Sequence, residues 1–166
     1  RRLWAARRIL EIRELSTRLI EVDDRQAKAA ILRLNQCGRR IHVLEEAWLA
    51  YALVREDGLS QLEVAELLGK HKSWVCRRLA LLERLAEEAR QDMQLGLLSP
   101  SAARQLIRLP RGNQQECLEC VRRESLTAGE VREVVDLLLA SSTREQKEFV
   151  LAKPREALAQ ARGGPV

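Results

Sequence analysis

Residues 59–85 read LSQLEVAELLGKHKSWVCRRLALLERL, and the fold turns on how this stretch is divided. Two helical patterns meet at Gly69. Ser60 can cap the first helix by accepting an otherwise orphaned amide N–H, and Gly69 can supply the left-handed residue that ends it. Ala65 is the small residue that lets two helices cross closely, and Val75 is the aliphatic residue facing it. Val64, Leu68, Leu79 and Leu82 continue the apolar register at helical spacing. The stretch therefore predicts a helix-turn-helix, which presents its second helix to the major groove of DNA.

The outward face of that second helix carries His71, Lys72, Ser73, Trp74, Arg77 and Arg78, with Lys70 in the turn before it. A solvated face normally mixes signs, but no acidic residue lies between Lys70 and Leu82. Charge and motif together point to DNA contact. Arg77 lies one turn into the helix, where a guanidinium can bond a guanine edge bidentately or hold a phosphate. Lys72 and Ser73 are placed for phosphate or base contacts. Trp74 fits either a thymine methyl or sugar edge, or a neighbouring helix. His71 reads as a turn residue, since no nucleophile or partner carboxylate is spaced to make it a base.

Working outward, the 166 residues are 46% hydrophobic but only 3% aromatic, which favours helices packed through aliphatic side chains. Helical patterns are predicted near 1–8, 24–34, 44–56, 60–68, 72–83, 86–95, 99–108, 112–123, 127–140, 143–151 and 154–162. Asp23 or Asp24, Ser60, Ser99 and Thr127 are the caps, and Pro100 occupies a first helical position, where its missing N–H costs nothing. One segment dissents: residues 14–22, ELSTRLIEV, alternate roughly and contain β-branched residues, so a single strand is expected near 15–22. A net charge of +5 permits a polyanionic partner without demanding one. No apolar run of membrane-spanning length occurs, and a cytoplasmic, nucleoid-associated protein is expected. CLEC at 117–120 is a lone C-x-x-C pair, too few ligands for tetrahedral zinc, so Cys117 and Cys120 read as small buried hydrophobes and no metal is expected.

The run GLSQLEVAELLGKHKSWVCRRLALLERL, followed by GLLSPSAARQLIRLP and ESLTAGEVREVVDLL, resembles the central DNA-binding domain of ParB-type partition proteins. The resemblance implies a mainly α, multi-helical domain over 44–140, with peripheral helices and a tail over 141–166. In the family's L-S-x-x-x-A-R segment, Ser99, Ala103 and Arg104 match, which makes Arg104 a further candidate for DNA or structural contact. Ser101 and Ala102 stand where the family commonly has Gly-His. Upstream, RRLWAAR is similar to the family's G-E-R-R-x-R-A box without its leading Gly-Glu, and LNQCGRRIHVLEEA aligns with its E-N-x-Q-R box. Residues 1–43 would then be the truncated remnant of an α/β N-terminal domain, to which the strand would belong.

The resemblance implies double-stranded DNA as partner, in plasmid or chromosome partition or mobile-element maintenance; a homodimer is compatible with the family. Two rivals remain at this stage. One is a ParB-like nuclease or nucleotide-dependent enzyme, although Asp23, Asp24, Glu45 and Glu46 look like a cap and a helix start and not a metal cluster. The other is a helical adaptor for a protein partner. The boxes that form a CTP site in partition proteins are degraded here. Arg1, Arg2, Ala5 and Asn35 match, but Trp4, Leu34, Cys37 and Gly38 replace polar positions. A triphosphate and its metal need converging donors and a carboxylate or amide. Neither a cofactor nor CTP binding is therefore expected. Titration calorimetry with CTP and magnesium should show no measurable heat of binding, with or without DNA; micromolar binding that disappears in Asn35→Ala would overturn this.

Overall fold

The computed structural model describes residues 2–9, 11, 14, 16–35 and 41–163. Among them the chain forms α1 (Arg2–Arg8), α2 (Asp24–Asn35), α3 (Val43–Tyr51, running on as a π-turn over Ala52–Glu56), α4 (Gln61–Leu68), α5 (Lys72–Glu83), α6 (Glu87–Leu95), α7 (Pro100–Leu106), α8 (Arg111–Glu124), α9 (Ala128–Ala140), α10 (Arg144–Ala152) and α11 (Pro154–Gly163). Each helical pattern of the sequence has its helix, with ends displaced by no more than two residues.

The expected strand near 15–22 does not form among the described residues: 16–23 have no regular structure, and Leu19 is 95% exposed. Among the described residues no neighbouring strand takes up its backbone N–H and C=O groups, and a strand without a ladder gains nothing over a solvated coil.

The punctuation follows from local hydrogen bonds. Ser60 Oγ accepts from Glu63 N at 3.2 Å while the Glu63 carboxylate accepts from Ser60 N at 2.8 Å, a reciprocal capping box. Thr127 with Glu130 and Thr143 with Gln146 repeat the arrangement at α9 and α10. The Ser60 backbone bond, aided by the Ser60 hydroxyl, holds the Glu63 carboxyl below the usual carboxylate range. A depressed carboxylate adds stability at neutral pH that is lost as pH falls through its folded pKa. The Ser60–Glu63 and Thr127–Glu130 boxes therefore weaken in acid, whereas the Gln146 amide of the third does not titrate.

Two apolar clusters form the core. The first gathers Leu44, Leu81, Leu85, Met93, Leu106, Leu118 and Val131 from α3 and α5 to α9, and takes in Val150, Ala157 and Leu158 from α10 and α11. The second gathers Ala29 and Leu32 of α2 with Leu53, Val64, Leu68, Val75 and Leu79. Packing is thus continuous across residue 43, where α2 joins the helix-turn-helix core, and across residue 140, where the last two helices join the α6–α9 core. Cys117 and Cys120 are free and buried in the first cluster, and burial pushes the Cys117 thiol up to about 12. Among the described residues no His, Cys, Asp and Glu side chains gather as a metal site, and no helix is long and apolar enough to cross a membrane.

The buried polar groups tie elements together. Asp92 receives a bidentate pair of bonds from Arg122, both at 2.7 Å. Gln114, 1% exposed, accepts from Ala86 N at 2.8 Å and donates to Arg84 O and Leu109 O at 3.0 and 3.1 Å. Ala86 begins α6 without a side chain able to cap it, and Gln114 of α8 accepts from the Ala86 amide itself, the bond that an N3 glutamate makes in a capping box. Gln114→Leu should lower stability by about 1–3 kcal/mol, because the Ala86 amide and two carbonyls lose their partner in a dry site. Urea unfolding reads this; an unchanged midpoint would show that water substitutes freely there.

Candidate nucleic-acid interface

The interface starts at the turn. Gly69 adopts φ 63°, ψ 40°, and Lys70 N reaches back to Ala65 O at 2.8 Å, a Schellman closure that ends α4 within one residue. The left-handed conformation suits glycine and strains any residue with a Cβ. His71 is the N-cap of α5: its Nδ1 accepts from Ser73 N at 3.2 Å and lies 2.9 Å from Ser73 Oγ. Ala65 and Val75 are both buried in the second cluster, where α4 and α5 cross.

Inward, α5 sends Val75, Leu79 and Leu82 into the core; outward it exposes Lys72, Cys76 and Arg77, with Ser73 half-buried. Neither Lys72 nor Arg77 has a carboxylate within ion-pair distance among the described residues, whereas Arg55, Arg108, Arg122, Arg144 and Arg162 each do. The paired arginines are largely neutralised by their own helices and neighbours. Lys72 and Arg77 thus place two cations without a partner carboxylate on the outer face of the N-terminal half of α5.

The rest of the predicted face divides. Lys70, Trp74 and Arg78 stand four residues apart, and the indole takes both cations: Lys70 Nζ lies 5.9 Å and the Arg78 guanidinium 4.8 Å from the ring centroid. Trp74 also packs against the second cluster, so the neighbouring-helix alternative describes its place in the fold. Arg78 differs from the sequence reading. Instead of facing outward with Arg77, it turns toward α3 and pairs with Glu46 at 2.6 Å, with both side chains about four-fifths buried. Its charge is answered inside the protein. Glu46 is 32 residues away in sequence, and only the spacing of 70, 74 and 78 hinted at a ladder.

Arg104 stands apart on α7, exposed, its guanidinium donating to Ser101 Oγ at 3.0 Å. Of the degraded boxes, Arg1, Cys37 and Gly38 lie outside the described residues, and Asn35 turns its amide back to donate to Ile31 O at 2.7 Å.

Comparison with known proteins agrees with this geometry. The family described as the ParB HTH domain matches residues 39–140. The chain is 30% identical over 129 residues to the probable chromosome 1-partitioning protein ParB of Deinococcus radiodurans, covering 78% of this chain and 44% of that one. It is 27% identical over 139 residues to the probable chromosome-partitioning protein ParB of Vibrio cholerae, covering 84% and 47%. The chain thus spans about half the length of the curated relatives it matches. Among solved structures, the C-terminally truncated chromosome-partitioning protein ParB from Caulobacter crescentus, complexed to the centromeric parS site, superposes with a TM-score of 0.57. It is 21% identical, covering 74% of this chain and 61% of that one, which is a likeness of fold.

The divided face predicts a divided response. Arg78→Ala or Glu46→Ala should cost about 1–3 kcal/mol, since each leaves a largely buried charge without its partner. Arg77→Ala should shift stability by no more than about 0.5 kcal/mol, as an exposed substitution. Equal unfolding midpoints for the two arginine variants would show that the Glu46 pair holds nothing.

Proposed function

The chain belongs to the ParB helix-turn-helix family, and from that premise we propose that it binds double-stranded DNA through α5 and serves the partition of chromosomal or plasmid DNA. The observation that carries this reading is the outer face of α5, where Lys72 and Arg77 stand exposed and without counter-charge. An arginine one turn into the second helix of a helix-turn-helix is within reach of base edges when that helix enters the major groove, so Arg77 is the base reader. Lys72 and Ser73 lie beside the helix N-terminus, where phosphates are favoured.

The other cations take separate roles. Lys70 borders the turn and reaches the backbone while its stem lies near Trp74. His71 holds the helix start in register, and Trp74 offers its outer edge to a sugar or methyl group. Arg78 acts indirectly by fixing Trp74. Arg104 on α7 extends the contact to a phosphate outside the groove. The partition names of the relatives support a role in DNA segregation, and a nucleoid-associated location goes with it. A helix-turn-helix that dimerises can read two half-sites related by a two-fold axis, and a homodimer is accordingly part of the proposal.

Selection of bound fragments from random duplex DNA tests the reading, with a single enriched motif as the expected result. Affinity for it should fall steeply with salt as counterions are released from phosphates. Arg77→Ala should cost about 1–3 kcal/mol on the selected site and relax preference at one position. Recovery of no sequence above background, with no salt-dependent binding, would turn the reading toward a protein partner.

A further inference from the structure

The sequence pattern confined the cationic face to the helix-turn-helix and its followers, but the packing brings in one more guanidinium, from α2. Ala29 and Leu32 bury α2 in the second cluster alongside Val64, Ala65 and Leu68 of α4. At the start of α2, Arg25 donates to Asp57 O at 2.8 Å and its charge acts on Glu63 in the first turn of α4. At its end, Arg33 Nη2 lies 3.7 Å from where a Cβ on Gly69 would stand. The two helices therefore run side by side in the same direction. Arg33, four residues beyond Ala29 on the same stripe, passes the end of α4 and comes to rest at the turn into α5.

Its surroundings decide what it can do. Arg33 is exposed, and no carboxylate lies within ion-pair distance of it among the described residues. Lys70 and Lys72 follow Gly69 by one and three residues in the chain, and neither has a carboxylate within ion-pair distance among the described residues. An exposed guanidinium beside the turn, with no carboxylate to answer it among the described residues, is available to a phosphate.

Resting on the DNA-binding reading above, we propose that Arg33 is a further DNA contact, a phosphate clamp that α2 extends beside the turn of the helix-turn-helix. Through the α2–α4 packing, the segment preceding the helix-turn-helix thereby takes part in gripping the duplex. Arg33 reads no base; it sets the seat of α5 in the groove.

The test is anisotropy binding of the full chain to its selected duplex and to a scrambled one over a range of salt, for the wild type, Arg33→Ala, Arg33→Lys and Arg77→Ala. Arg33→Ala should weaken both duplexes by the same factor and reduce the slope of log K against log salt by about one, with Arg33→Lys keeping the slope. Arg77→Ala should lose mainly the preference between duplexes. Wild-type binding with an unaltered slope in Arg33→Ala overturns the inference alone, including the case in which Arg33→Ala only lowers the unfolding midpoint and Arg33 merely caps the carbonyl ends of α2 and α4. Absence of salt-dependent binding by the wild type overturns the DNA reading and this inference with it.

Discussion

The contact between α3 and α5 is the constraint on which the rest of the molecule depends. Each of the two helices contributes to both apolar clusters: Leu44 and Ala47 of α3 to the first and Ala50 to the second, Leu81 and Leu82 of α5 to the first and Val75 and Leu79 to the second. Ala47 and Ala50 are fully buried, so α3 offers small side chains to its neighbour and lets the backbones approach closely. α5 is consequently the element that joins the two cores. Its inner face cannot shift without disturbing both.

That dual role explains how charge is divided around α5. A helix that must pack on one side and meet a polyanion on the other has room for few cations that do both. Arg78 lies on the side toward α3, where Glu46 and the Trp74 ring answer its charge, and Arg77, one residue on, lies outside. The 100° between successive residues of a helix separates a fixing guanidinium from one available to a ligand. Elsewhere some arginines, such as Arg55, Arg108 and Arg162, are matched with Glu83, Asp136 and Glu133, whereas Arg77 has no such partner among the described residues.

Much of this was legible in the sequence because it is encoded locally. Capping residues, Gly69, Pro100 and the 3.6-residue period are all short-range signals, and the helices they predicted are present. The segment near 15–22 misled because alternation reports compatibility with a strand, while a strand exists only through a partner. The Glu46–Arg78 pair, the Gln114 bond to Ala86 at the start of α6 and the approach of Arg33 to Gly69 join residues about thirty or more positions apart. No local pattern encodes such meetings. Arg77 and Arg78 are adjacent and chemically identical, and only the direction of packing tells them apart.

The start of α5 is held from several sides. The Schellman closure at Gly69 fixes where α4 ends, His71 caps the first turn, and Trp74, packed on the second cluster and stacked with Arg78, pins the next. A surface loop carrying the same cations would have to be ordered on binding, losing conformational freedom for each long side chain immobilised. Here the backbone is already in place, so on the proposed DNA-binding reading only the outward side chains of Lys72 and Arg77 would remain to be ordered by a duplex. Rigid backbone with free cationic tips suits recognition that must first slide on phosphates and then settle on bases, because the electrostatic contact and the base contact share one scaffold and differ only in side-chain rotamer.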